Sequence, residues 1–162
     1  MAVWKLTDNI WWGDAAAPFE CRHTAKSVIC VAENLELANH QFSPYLQHLN
    51  HPDPKPKPFF WLPINDYVDV DSDYIEMLDG VLGVIDNGDL FPLLIHCYAG
   101  IHRSPAVAIY AGTQFGEAAT PADHGGCGAY EPLHAKAREL RPEMEYHQFS
   151  KSLHRIMAGG KV

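Results

Sequence analysis

The sequence is poor in basic residues. Twelve lysines and arginines stand against twenty aspartates and glutamates, and with the ten histidines neutral the formal net charge at pH 7 is −8. Nucleic-acid backbones and anionic lipids attract proteins through positive charge, so this balance is unfavourable for both classes of partner. We therefore expect neither a nucleic-acid partner nor a membrane partner.

The sequence also lacks long apolar runs. No stretch reaches the roughly 18 consecutive apolar residues that a membrane-spanning helix needs. The first five residues, Met-Ala-Val-Trp-Lys, contain no apolar signal core. Together these absences predict a cytoplasmic protein.

Cysteine is scarce, and its spacing does not fit the common metal-binding motifs. The four cysteines form no C-x-x-C pair, and the histidines show no H-E-x-x-H or zinc-finger spacing. We expect no metal site and no cofactor, and thiols in a reducing compartment stay free. Each cysteine is then either a buried apolar residue or a nucleophile. The four are Cys21, Cys30, Cys97 and Cys127.

What the sequence does contain is enough apolar residues for one domain. The chain has 162 residues, of which 47% are apolar. A chain of this length buries roughly two thirds of its unfolded surface, which makes a core without disulfides or structural metal. We expect residues 1–162 to form a single domain.

Apolar runs and helical patterns alternate along the chain. A helical pattern with Gly88 after its last residue predicts a helix at 72–87, and Ser-Pro pairs predict helices that begin near 43 and 104. Predicted strands lie at 9–12, as an edge strand or strand end, and at 27–32, 59–64 and 90–95. Further helices are predicted at 15–25, 104–115, 131–140 and 146–157. This alternation predicts a three-layer α/β fold, in which helices flank a mostly parallel central sheet of about four to five strands.

Two segments stand apart from this pattern. Residues 51–58 contain too many prolines for a helix or a central strand, so we expect a stiff surface loop. The stretch from Gly116 to Pro132 is rich in glycine and has no assigned structure or role.

The chemistry concentrates in the run His-Cys-Tyr-Ala-Gly-Ile-His-Arg-Ser, from His96 to Ser104. Here a buried strand ends in Cys97, five residues form a loop, and Arg103 stands where a helix begins. The loop amides and the positive end of the helix dipole converge on one point, which favours a bound oxyanion. Gly100 allows the backbone to turn closely around such a ligand. This arrangement predicts a phosphate cradle.

Cys97 and Arg103 suit nucleophilic attack on phosphorus. The helix N-terminus and the guanidinium favour the thiolate form of Cys97, which is a nucleophile at neutral pH. The planar fork of Arg103 binds two phosphate oxygens and can follow them into the transition state. A cysteine six positions before an arginine arises by chance in about one such sequence in five; adding His96, Gly100 and Ser104 lowers that to roughly one in 10⁵.

At these residues the sequence resembles the Cys-dependent protein tyrosine phosphatase superfamily, and most closely its compact dual-specificity branch. The signature H-C-x-x-G-x-x-R-S/T is matched by His96, Cys97, Gly100, Arg103 and Ser104. The resemblance covers about residues 5–156 and implies one phosphatase-like catalytic domain. Compared with the family, His102 is unusual, and the segment from residue 116 to 132 is long.

The resemblance implies a two-step reaction that needs no cofactor. Cys97 attacks phosphorus and forms a phosphocysteine, and an acid on a separate loop protonates the leaving oxygen. Asp66 matches the position of that acid, with Asp69 as the alternative. Ser104 is expected to donate a hydrogen bond to the Cys97 sulfur. The expected phosphate-binding residues are Tyr98, Ala99, Gly100, Ile101, His102 and Arg103.

Other residues near the motif receive weaker assignments. His96 is expected to orient the loop, and His102 either favours anions at the pocket mouth or is an ordinary surface histidine. Cys30 is expected in the core. Cys127 has no clear role, with a disulfide to Cys97 under oxidation as the alternative.

The predicted function is removal of phosphate from phosphotyrosine, and also from phosphoserine or phosphothreonine, in proteins or peptides. One alternative is a phosphoinositide or RNA 5′-phosphatase of the same superfamily, although residues 98–102 provide no lysine or arginine. The other alternative is a phosphate-binding module without catalysis. Physiological substrate and oligomeric state are not predicted.

Overall fold

A five-stranded sheet organises the part of the chain that the computed structural model describes, residues 2–33, 58–116 and 130–159. The strands are β1 Val3–Lys5, β2 Ile10–Gly13, β3 Ser27–Cys30, β4 Phe59–Trp61 and β5 Leu93–His96. The helices are α1 Ala17–Glu20, α2 Ser72–Asn87, α3 Arg103–Gln114, α4 Tyr130–Leu140 and α5 Gln148–Met157.

The sheet is mixed and mostly parallel. Its strand order is β1-β2-β5-β3-β4; β1 pairs antiparallel with β2, and every other neighbouring pair is parallel. The predicted α/β class, with a mostly parallel sheet between helices, is confirmed. The carboxyl ends of β2, β3, β4 and β5 therefore meet at one edge of the sheet, where loops of parallel sheets commonly bind ligands.

Side chains alternate between the two faces of the sheet because successive residues of a strand point in opposite directions. Trp11, Val28 and Leu94 pack in the cluster that contains Ala17 of α1. The residues next to them in the strands face the larger core, which also receives buried side chains of α2, α3, α4 and α5. This gives the three layers that the sequence predicted.

Helix α3 lies deepest in the molecule. Its residues from Ser104 to Gly112 are buried, and it packs against β2, β5, α4 and α5. Since the loop that follows β5 leads directly into α3, both ends of that loop are anchored in the core. The site loop is thus fixed between a fully buried strand and a largely buried helix.

Local signals placed most helices correctly. Helix α2 spans the predicted residues, and the Asp71 carboxylate accepts a hydrogen bond from the Tyr74 amide at 2.8 Å as its N-cap. Helices α3 and α4 begin one residue earlier than expected, and α5 begins two residues later. Strands β3 and β4 are shorter than predicted, but Leu62 and Ile64 still donate backbone hydrogen bonds to Cys30 and Val31.

Two sequence expectations about the first elements need correction. Of the two alternatives for residues 9–12, the edge strand is wrong: β2 lies between β5 and β1, and β1 is a three-residue strand too short to give a sequence signal. The helix expected at 15–25 is reduced to α1, followed by turns. The helix expected at 43–49, the proline-rich residues 51–57, the segment 117–129 and Cys127 lie outside the described residues.

Within the three described ranges, no helix combines the length and the apolar character that crossing a membrane requires.

Candidate active site

The loop between β5 and α3 surrounds the sulfur of Cys97. The Gly100 amide donates a hydrogen bond to Cys97 Sγ at 3.1 Å, so the loop folds back over the side chain. Gly100 has φ +71°, and a Cβ there would lie 2.8 Å from Arg141 Nη1. Only glycine combines this left-handed backbone with such a close neighbour.

The carbonyl oxygens of this loop point away from the sulfur. Each of them, from Tyr98 to His102, accepts a hydrogen bond from another segment of the protein. Within a trans peptide the N–H points opposite to the C=O, so these bonds turn the amides toward the inside of the loop. The donors are Ala15 N to Tyr98, Arg141 Nη1 to Ala99 and Gly100, Glu145 N to Ile101, and Ser150 Oγ to His102.

Arg141 braces the loop from outside, a role that the sequence reading did not assign. Its Nη1 lies 2.8 Å from the Ala99 oxygen and 2.9 Å from the Gly100 oxygen, and its guanidinium stacks 4.0 Å over the ring of Trp4. Its Nε donates to Glu143 at 2.8 Å, and this bond lowers the pKa of the Glu143 carboxyl. No local signal could reveal the role, because the carbonyls it binds are 41 and 42 residues away.

Strand β2 holds the loop through hydrogen bonds of Trp12 and Gly13. The indole Nε1 of Trp12 donates to the Gly100 oxygen at 3.2 Å. The Gly13 oxygen accepts from the Cys97 amide at 3.2 Å. A Cβ at Gly13 would lie 2.2 Å from the Ala17 Cβ, so a side chain there would displace α1 from the strand. The sequence reading assigned neither residue a part in the site.

Ser104 contacts both Cys97 and strand β2. Its Oγ is 3.1 Å from Cys97 Sγ and 3.1 Å from the Gly13 oxygen. A hydroxyl has one proton to donate. When Cys97 is a thiol, the sulfur can donate to Ser104 while Ser104 donates to Gly13; when it is a thiolate, the hydroxyl can turn to the sulfur. The contact therefore suits both protonation states.

The structure places Asp66, the residue expected to be the acid, next to Arg103. Asp66 Oδ1 lies 3.6 Å from Arg103 Nε, and their side chains are 18% and 14% exposed. At this distance the contact is an ion pair without a hydrogen bond. The backbone of Asp66 is held by a hydrogen bond, since the Phe149 amide donates to the backbone carbonyl oxygen of Asp66 at 3.1 Å.

The alternative acid, Asp69, faces a different part of the protein. Its side chain is 57% exposed and lies 3.9 Å from Arg155, and it accepts a hydrogen bond from Gln148 at 3.0 Å. Asp73 lies in the first turn of α2. Of these three carboxylates, Asp66 is the one in contact with Arg103.

The histidines of the motif have different environments. His96 is buried at the end of β5, with Nδ1 3.3 Å from the Cys97 oxygen. This placement agrees with a residue that orients the loop. His102 is partly exposed beside Arg103, and its Nδ1 lies 3.3 Å from the Glu145 oxygen.

Cys30 lies at the end of β3, paired with His96, the residue before Cys97. Burial raises the pKa of the Cys30 thiol from 9.0 to about 11. Cys30 therefore stays protonated near neutral pH, and its full burial agrees with the expected core position. A protonated thiol is a poor nucleophile.

Comparisons with known proteins identify the fold. No protein-family model and no curated protein matches the sequence. Among solved structures, Tk-PTP in its active form has a TM-score of 0.65 and 16% identity, over 98% of this chain and 97% of that one. Human DUSP28 has a TM-score of 0.62 and 14% identity, over 97% and 93%. The chain has the fold of the dual-specificity phosphatases.

A third structure with this phosphatase fold is the human tyrosine phosphatase-like serine/threonine/tyrosine-interacting protein. Its TM-score is 0.62 at 20% identity, over 96% of this chain and 95% of that one. The resemblance inferred from residues 96–104 is thus confirmed at the level of the fold.

Proposed function

We propose that this protein belongs to the Cys-dependent protein tyrosine phosphatases and removes phosphate from phosphotyrosine in proteins or peptides. The observation that carries the proposal is the loop around Cys97, whose carbonyls from Tyr98 to His102 all bond to other segments while the Gly100 amide donates to the sulfur. Inward amides next to a helix N-terminus form an oxyanion receptor. We further propose that residues 1–162 form one catalytic domain.

In the first step, the Cys97 thiolate attacks phosphorus while the guanidinium of Arg103 binds two equatorial oxygens. The bond from phosphorus to the ester oxygen breaks, and Asp66 gives its proton to that oxygen. A bound phosphate takes over the interaction that Arg103 has with Asp66, which is only a loose ion pair at 3.6 Å.

In the second step, water attacks the phosphocysteine, and Asp66 now accepts the proton of that water. The Cys97 sulfur leaves as a thiolate. The Ser104 hydroxyl, whose Oγ lies 3.1 Å from the sulfur, donates a hydrogen bond that stabilises the negative charge developing there. No metal ion enters either step.

Two exposed aromatic residues favour phosphotyrosine as the substrate. Tyr67 follows Asp66 and is 76% exposed, and Tyr98 follows Cys97 and is 61% exposed. Exposed aromatic rings at a site edge suit contact with another ring. Phosphoinositides and RNA ends carry several negative charges, for which residues 98–102 offer no lysine or arginine.

The test compares turnover of a phosphotyrosine peptide, a phosphothreonine peptide, a phosphoinositide and an RNA 5′-phosphate, with a metal chelator present. We expect the phosphotyrosine peptide to be the best substrate, and rapid acid quenching to trap a phosphoryl group on Cys97. Cys97→Ser should lose turnover but keep peptide binding, because serine is not ionised at neutral pH. Cys21→Ala, a change to a buried thiol elsewhere, is the control.

Each contrary result points to a different alternative. Preference for the phosphoinositide or the RNA end would give the protein another substrate class within the same chemistry. Binding without turnover by the wild-type chain would make it a phosphate-binding module. Turnover by Cys97→Ser would refute the mechanism.

A further inference from the structure

Three potential metal ligands from distant parts of the sequence meet beside the Cys97 loop. His102 belongs to that loop, while Glu145 and His147 lie just before α5. Glu145 Oε2 is 4.0 Å from Nε2 of each histidine, and the centroids of the two imidazole rings are 4.1 Å apart. Among the described residues, these three form a group whose ligand atoms all lie within 4.8 Å of one another.

The donor set is one that zinc prefers. Two imidazole nitrogens and one carboxylate oxygen bind zinc at about 2.0–2.2 Å, with a fourth position open to water. Around a tetrahedral ion such ligand atoms are about 3.3 Å apart, so the atoms at 4.0 Å need to move closer by less than 1 Å. All three side chains are at least partly exposed, which leaves them room for this adjustment.

The backbone already fixes two of the ligands relative to each other. The Glu145 amide donates to the Ile101 oxygen at 3.3 Å, and Ser150 Oγ donates to the His102 oxygen at 2.9 Å. These bonds tie the segment before α5 to the Cys97 loop. A metal ion would therefore meet ligands whose main chains are in position before it binds.

The hydrogen bond of His102 also suits a ligand. Its Nδ1 lies 3.3 Å from the backbone oxygen of Glu145, so Nδ1 carries the proton and donates it. In the neutral imidazole with that tautomer, the lone pair is on Nε2, the atom that lies 4.0 Å from Glu145 Oε2. Metal-binding histidines typically donate their other ring nitrogen to a carbonyl or carboxylate in this way.

We propose that His102, Glu145 and His147 bind one zinc ion or a similar divalent transition metal. The site is separate from the phosphate chemistry proposed above, which uses no metal. Because His102 precedes Arg103, the ion adds positive charge beside the anion receptor. It also joins the Cys97 loop to the segment before α5, and His147 in turn contacts Tyr67 next to Asp66.

The test uses the full chain with the Cys97→Ser substitution, which removes a thiolate that competes for zinc. Zinc alone is titrated against a chromophoric chelator, and cobalt absorption reports the geometry. We expect one tight equivalent, and we expect Glu145→Gln or His147→Ala to weaken it at least about 100-fold, since loss of second-shell partners alone costs 10- to 100-fold. His23→Ala, at another exposed histidine, should leave zinc affinity unchanged.

Circular dichroism of each variant checks that the fold is kept. Zinc binding that is absent, or equally tight in His147→Ala and Glu145→Gln, would overturn the proposal. Neither result bears on the phosphatase proposal, which is tested with a chelator present.

Discussion

The loop that contains Cys97 and the loop that contains Asp66 are held in different ways. Every carbonyl from Tyr98 to His102 is bonded to another segment. On the other loop, Phe149 and Ser152 of α5 hold the backbone of Asp66 and Val70. Among the described residues, however, the Asp66 carboxylate has only the contact with Arg103 at 3.6 Å. The comparison shows that the main chain of the Cys97 loop is held by other segments, whereas the Asp66 side chain is held loosely. In the proposed mechanism, the loop is therefore an anion receptor formed in advance, and the carboxyl moves to the leaving group.

Asp66→Asn tests the acid side of this comparison and should give the largest effect. We expect turnover of a phosphotyrosine peptide to fall by about 10² to 10⁴-fold, the usual contribution of a positioned proton donor. The loss should shrink for an aryl phosphate whose phenol leaves without a proton, and the fall in rate at high pH should disappear. Peptide affinity in the Cys97→Ser background should not weaken.

Asp69→Asn is the matched control, since its exposed carboxylate faces Arg155 and Gln148. We expect it to change the rate by less than about fivefold. A large loss of rate in Asp69→Asn together with a small loss in Asp66→Asn would show that Asp69, and not Asp66, is the acid.

Ser104→Ala tests the contact between the receptor and the sulfur. A hydrogen bond to a charged group contributes about 1.5–3 kcal/mol, so its loss should slow hydrolysis of the phosphocysteine by about 10- to 100-fold. Rapid quenching should find more phosphoryl group on Cys97 than in the wild-type protein. Ser104→Thr keeps the hydroxyl and should restore most of the rate. Equal rates for the alanine and wild-type proteins would remove Ser104 from the mechanism.

Arg141→Met tests the receptor side and should give the smallest effect. The change removes two hydrogen bonds to the loop, but the Gly100 oxygen keeps the bond from Trp12. We expect about a tenfold weaker affinity for a phosphotyrosine peptide, measured by calorimetry in the Cys97→Ser background. Arg155→Met, at an exposed arginine, is the control. Unchanged affinity in Arg141→Met would mean that the loop does not need this brace.

The features that the sequence predicted are those with local causes. Helix α2 was predicted because its cap Asp71 and its end at Gly88 lie next to its apolar pattern. The Cys97 loop was predicted because strand, loop and helix follow one another within a few residues. The acid role of Asp66 came from the resemblance and stays a prediction; the structure gives its position, 3.6 Å from Arg103.

The features that were missed depend on contacts between distant residues. Trp12 and Gly100 are 88 residues apart, and the Gly13 oxygen and Ser104 are 91 apart. The order of the strands likewise depends on the whole sheet, so the sequence could not exclude an edge position for β2, which lies between β1 and β5. His102 and Glu145 are 43 residues apart, which hid their cluster from any search for short metal motifs.

The brace on the Cys97 loop has a consequence for folding. Contacts that span 41 to 91 residues form late, because closing long loops costs entropy before the contacts repay it. In the proposed mechanism, a partly folded chain therefore contains Cys97 without the surrounding loop amides that bind the phosphate. Recovery of turnover during refolding should lag behind recovery of helix content, so that the activity itself reports the last stage of folding.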